Sequence, residues 1–173
     1  YLSRVEDFYE CPDFLEIPVD GNENNKKWVI IDANCAYRIG DFNGKEFVTK
    51  MKNTKVEYGN LYATQTFKQS YEGDGPFIQL AFLRLQGRPE HSRIWSQQMC
   101  FPCELTLKTI NGEIRLCRNP ITEIKQLRYE SHFWRNINIK PGDNPLADLD
   151  GDVLEIIAEI DLAKSTGFGF NIR

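Results

Sequence analysis

The sequence predicts an all-β protein. Short apolar runs recur with a period of two between polar turns, and two Asn-Gly pairs, Asn43-Gly44 and Asn111-Gly112, mark tight hairpins. Up to Arg118 no apolar repeat of helical period is long enough to form an amphipathic helix.

Taken in order, residues 14–19 alternate as a strand, and residues 20–25 (Asp20-Gly21-Asn22-Glu23-Asn24-Asn25) form a polar turn. Residues 27–33 read as a more fully buried strand, and residues 36–42 as a third. Asn43-Gly44 turns the chain into a short fourth strand at 45–49, because both residue types tolerate positive φ. Four strands in about 45 residues is the content of one propeller blade. The pattern recurs, with strands at 61–67, 77–83 and 103–109 and a hairpin at Asn111-Gly112 into 113–117. Two such sheets supply roughly half of a propeller, and a β-sandwich of the same eight strands is the alternative. Residues 119–130 read as a short turn or helix joining units. Beyond it, residues 132–139 and 153–162 read as strands, and 167–173 begin another. The strand count leaves both units incomplete, so the sequence reads as a fragment open at both ends.

Composition narrows the partners. The net charge is -4 and no Lys/Arg-rich block occurs, so nucleic acid is not an expected partner. No apolar run is long enough to span a bilayer. The five cysteines are odd in number and irregularly spaced, which does not suggest a disulfide framework. Cys100-Phe101-Pro102-Cys103 has redox or zinc spacing, but no second pair follows, and flanking strand would point the sulfurs to opposite faces. Asp148-Leu149-Asp150-Gly151-Asp152 opens like a calcium loop and lacks the continuation to a Glu, so a solvated turn is expected. Neither a metal nor a cofactor is expected. His91 and His132 read as surface or packing residues, and Trp28 and Trp134 as core.

The stretch with most chemistry is Phe8-Tyr9-Glu10-Cys11-Pro12-Asp13-Phe14. Tyr9 and Phe14 are placed to withdraw Glu10 from water, the setting of a general acid. Pro12 biases Cys11 toward extended backbone, which would hold Glu10 in one place. An edge-strand Glu facing solvent is the plain alternative.

Glu10-Cys11-Pro12 followed by Asp13-Phe14 resembles the acid/base motif of glycoside hydrolase family 32, the levanase, inulinase and invertase group. Glu57-Tyr58-Gly59 with Leu61-Tyr62-Ala63-Thr64-Gln65-Thr66-Phe67 is similar to the family's Asp-Tyr-Gly segment and its Tyr-Ala-x-Gln-Thr-Phe strand. Gln97-Gln98-Met99-Cys100-Phe101-Pro102-Cys103-Glu104-Leu105-Thr106-Leu107 resembles a segment typical of bacterial levanase-like members, and residues 116–124 continue it. The resemblance implies the last blades of a five-bladed β-propeller over residues 1–124. It also implies a linker and the first strands of a β-sandwich over 125–173.

The resemblance further implies a retaining hydrolase of levan, inulin or sucrose, in which two carboxyl groups stand about 5–5.5 Å apart. Glu10 matches the acid/base position. Glu57, Tyr62, Phe82 and Trp95 are the implied substrate-binding residues; Trp95 serves equally well as a packing residue. The family's nucleophile lies in an Asn-Asp-Pro-Asn type motif and its transition-state stabiliser in an Arg-Asp-Pro motif, and neither motif occurs in residues 1–173. One of three catalytic carboxylates is therefore expected here, and no activity from this chain alone. Glu57 stands in place of the usual Asp, and Phe82 where many members have Trp. The competing reading is a non-catalytic carbohydrate-binding or structural propeller fragment. Members acting on polymers are commonly exported, so an extracellular or periplasmic location is expected, and open sheet edges would permit self-association.

Overall fold

The computed structural model describes residues 8, 10–52, 54–55, 59–68, 75–84, 98–151 and 153–170. Among these residues ten strands form one sheet system: β1 (Asp13–Val19), β2 (Asn22–Ile31), β3 (Ala36–Phe42), β4 (Phe47–Val48), β5 (Thr54–Lys55), β6 (Leu61–Lys68), β7 (Phe77–Leu83), β8 (Gln98–Met99), β9 (Cys103–Ile110) and β10 (Glu113–Pro120). A 3-10 helix, Thr122–Leu127, follows β10. The chain divides into two compact units, Tyr1–Glu130 and Ser131–Arg173.

In the first unit β1 to β4 form one antiparallel meander, and β6, β7, β9 and β10 form another. Both are blade-like, as the sequence predicts. The β1–β2 hairpin closes through Asp20 (φ 53°) and Gly21 (φ 74°), and the β9–β10 hairpin through Asn111 (φ 52°) and Gly112 (φ 80°). Two successive positive φ values match the twist of the flanking strands. The polar run 20–25 is thus a two-residue turn plus an irregular start of β2, where the register slips between Pro18 and Val19. Asn43 shapes a longer loop, its Oδ1 accepting the N–H groups of Lys45 and Glu46 at 2.9 Å each.

The meanders meet where Val19 pairs in parallel with Leu107. Between them lies the core: Ile17, Val19, Val29, Ile31 and Tyr37 against Leu105, Leu107 and Leu116. A smaller cluster joins Cys35 of the β2–β3 loop to Leu61 and Ala81. On the other face of β1, Phe14 stacks on Trp28 with ring centres 4.5 Å apart and meets Phe42 and Phe47 edge-on.

In the second unit none of the described residues forms a strand, so the runs expected at 132–139 and 153–162 are not paired. An extended segment becomes a strand only when a neighbour takes its N–H and C=O groups, and no ladder partner lies among the described residues. Its apolar side chains are correspondingly exposed, Trp134 at 42% included, which corrects the expectation of a core tryptophan.

Candidate active site

Glu10 is anchored through its backbone. Its carbonyl accepts the Ala33 N–H at 2.8 Å. Ala33 belongs to a tight turn built by Asp32, whose buried Oδ1 accepts the N–H groups of Asn34 at 2.8 Å and Ala36 at 3.0 Å. An Asp directly after an apolar strand forms such a turn because its short carboxylate reaches its own downstream amides. The Thr64 hydroxyl of β6 donates to the Asp32 carbonyl at 3.0 Å, tying this turn to the second meander.

Tyr62 reaches Glu10 from that same strand. Its hydroxyl donates to Glu10 Oε2 at 2.7 Å, a short charge-assisted bond when the carboxyl is ionised. Glu10 makes no other side-chain hydrogen bond among the described residues. The aim of Tyr62 depends on a β-bulge. Tyr62 pairs with Phe82 and Gln65 with Leu80, so β6 carries one more residue than β7 over this interval, with Ala63 at φ 53°. The extra residue lets Leu61 and Thr64, three apart, both point inward, where regular alternation would put them on opposite faces.

Phe82 is the direct cross-strand partner of Tyr62 and is 44% exposed. Directly opposed residues share a face, so Phe82 and Tyr62 present one phenyl and one phenol side by side. The Arg84 guanidinium lies over the Tyr62 ring, 3.5 Å from its centre.

Three of the non-glycine residues with left-handed backbone fall in this small region: Cys11 (φ 52°), Cys35 (φ 60°) and Ala63 (φ 53°). Each flanks the Glu10–Tyr62 pair or sits in the turn that holds it. That conformation costs roughly 1–2 kcal/mol per residue, and such strain collects where a side chain must be aimed.

The structure therefore brings Glu10, Tyr62 and Phe82 together, while Glu57 and Trp95 lie outside the described residues. Two local expectations are corrected. Cys11 is not extended, because the Ala33 anchor turns the chain there. Glu10 is exposed, and Phe14 packs in the Trp28 cluster instead of shielding it. Ala33, Asp32, Thr64 and Arg84 were not singled out in the sequence. Only Asp32, heading Asp32-Ala33-Asn34 after an apolar strand, carried a visible turn signal.

The cysteine pair also differs from expectation. Cys100 lies between β8 and β9, outside regular strand. Its sulfur accepts from Arg118 Nη2 at 2.9 Å and from the Ala81 N–H at 3.2 Å. Cys103 donates to the Phe101 carbonyl at 3.3 Å, and burial pushes its thiol up. Asp148 and Asp150 are exposed, and no group of three metal-ligating side chains occurs among the described residues.

The first unit is a blade-like antiparallel sheet with a carboxyl group held at one end by a phenol. Residues 3–120 match the glycosyl hydrolases family 32 N-terminal domain, and the chain belongs to that family. It is 31% identical to a levanase of Bacillus subtilis (strain 168), covering 95% of this chain and 27% of the levanase. It is 28% identical to an extracellular exo-inulinase of Meyerozyma guilliermondii, over 75% of this chain and 26% of that protein. A variant of fructan 1-exohydrolase IIa from Cichorium intybus, solved in complex with 1-kestose, superposes with a TM-score of 0.64 at 20% identity, over 78% of this chain and 28% of that one. The chain thus spans about a quarter of the length of these relatives. No helix among the described residues is long and apolar enough to cross a membrane.

Proposed function

We propose that this chain is part of a retaining glycoside hydrolase that releases fructose from levan, inulin or sucrose, with Glu10 as general acid/base. The observation that carries the reading is the 2.7 Å bond from the Tyr62 hydroxyl to Glu10 Oε2. It joins two separately resembling segments, 52 positions apart in sequence, at one carboxyl group.

In the first step a carboxylate from outside residues 1–173 attacks the fructosyl anomeric carbon. The bond to the leaving oxygen breaks, and Glu10 gives that oxygen its proton. In the second, Glu10 as carboxylate takes a proton from water; the water oxygen bonds to the anomeric carbon and displaces the nucleophile. Tyr62 donates to one Glu10 oxygen throughout, leaving the other to exchange the proton. Phe82 offers an apolar face for a sugar ring, and Glu57 and Trp95 complete the substrate contacts on the family resemblance. Residues 1–124 supply late propeller blades, and 125–173 a linker and the first sandwich strands. The working location is extracellular or periplasmic. Residues 1–173 alone are inactive and associate through the open edges of the sheet.

The test is fructose release from levan, inulin and sucrose by the complete protein, wild type against Glu10→Gln. Loss of about 10²–10⁴-fold in rate is expected, the span general acid–base groups commonly contribute. A wild type that binds these sugars and releases no fructose overturns the reading and leaves a carbohydrate-binding propeller.

A further inference from the structure

A cation, Arg84, stands against the Tyr62 side of the Glu10–Tyr62 pair. The Arg84 guanidinium carbon is 3.5 Å from the centre of the Tyr62 ring, well inside cation–π range. The Arg84 N–H donates to the Asn60 carbonyl at 2.8 Å, extending the ladder one step beyond the Leu61–Leu83 pair. Arg84 and Tyr62 are therefore set by the same two strands. Tyr62 sits beside the bulge, where the ladder is interrupted, and its ring torsion is soft on its own. A flat guanidinium on the ring face fixes the plane of the phenol, and its charge draws electron density from the ring, strengthening the O–H as a donor.

We propose that Arg84 is a positioning residue. Stacked on Tyr62, it keeps the phenol O–H on Glu10 Oε2 and so leaves Oε1 as the oxygen that exchanges a proton with the substrate. The proposal rests on the acid/base assignment of Glu10 given above, and it assigns Arg84 no contact with sugar.

The experiment uses the complete protein with Arg84→Met, Arg84→Lys, Tyr62→Phe and the Arg84→Met/Tyr62→Phe double variant. Arg84→Met is expected to lower kcat about two- to fivefold, the factor an exposed cation–π contact supplies, with little change in KM. Arg84→Lys, which keeps the charge without the flat guanidinium, restores only part of the loss. In the Tyr62→Phe background, Arg84→Met adds nothing further, because its route to Glu10 is gone. Effects that multiply in the double variant, or a loss confined to KM, overturn the proposal and make Arg84 a direct sugar ligand. A second readout needs no turnover. Fluorine NMR of fluorotyrosine-labelled protein follows the resonance that disappears in Tyr62→Phe, and this resonance is expected to move in both Arg84→Met and Glu10→Gln. If wild type releases no fructose, the enzyme reading fails by itself. A Tyr62 resonance unmoved by Arg84→Met overturns the positioning role in either case.

Discussion

Asp13 and Asp20 are the same residue type seven positions apart, and the fold treats them in opposite ways. Burial pushes the Asp13 carboxyl up, and its Oδ2 has no hydrogen-bond partner among the described residues; the Thr66 hydroxyl and amide pull the other way. Asp20 is held down by the Thr109 hydroxyl at 2.6 Å and amide at 2.9 Å, which tie the β1–β2 turn to β9. The pH consequences have opposite signs. A lowered folded value stabilises above the ordinary Asp value near pH 4, and that contribution disappears as pH falls through the folded value. Asp20→Asn, which keeps a residue suited to positive φ, is expected to be less stable than wild type at neutral pH, with the gap closing in acid. A raised folded value stabilises below about pH 4 and loses that contribution as pH rises through the folded value. Asp13→Asn is expected to gain on wild type as pH rises. Urea midpoints across the acid range check both, and parallel curves for either variant would remove the assigned cause.

At the scale of the element, what was legible depended on how local the cause was. The run behind β1 alternates, those behind β3, β6, β7 and β9 are short apolar-bearing runs between turn signals, and the two Asn-Gly pairs demand turns, so their strands and hairpins were visible in sequence. The bulge at Ala63 was not, since Tyr-Ala-Thr-Gln contains no glycine or proline to mark it; the extra residue lets Leu61 and Thr64 both be buried. The same applies to β5 and β8, two residues each, which exist only because β3 and β7 present edges to them. Glu10 and Tyr62 could each be picked out by resemblance. Their contact, and Arg84 beside it, depend on long-range pairing that no local pattern encodes. Gly40 is a further tertiary requirement within β3. A Cβ there would strike the Val48 carbonyl and come within 2.8 Å of the Phe47 ring, so β4 folds over β3 only because position 40 has no side chain. Gly40→Ala is expected to cost about 1–3 kcal/mol, as overpacking does, and to loosen the Phe14–Trp28–Phe42–Phe47 cluster. Denaturant unfolding followed by tryptophan fluorescence measures both effects.

For the molecule as a whole, the contrast is between a paired unit and an unpaired one. In Tyr1–Glu130 the backbone polar groups of β1, β2 and β9 are held in ladders around side chains as buried as Val29, Ile31 and Leu107, each 0% exposed. In 131–151 and 153–170 no residue is in a ladder, and Val153, Ile157 and Phe133 are 81%, 79% and 78% exposed. Alternation across 153–162 is the pattern of a half-buried strand, so the sequence there specifies a face and a period, while the described residues supply no ladder partner to use them. Hydrogen exchange reads this difference directly, since amides exchange through local opening and a ladder raises the cost of opening. In residues 1–173 alone, amides of Val29–Ile31 and Leu105–Leu107 are expected to exchange slowest, and those of 131–170 at the rate of open chain. In the complete protein, slow exchange across 153–162 is the expected mark of a strand that has found its neighbour, as a sandwich assignment requires. Open-chain exchange there in both forms would instead make the segment a linker, and the sandwich would have to begin elsewhere.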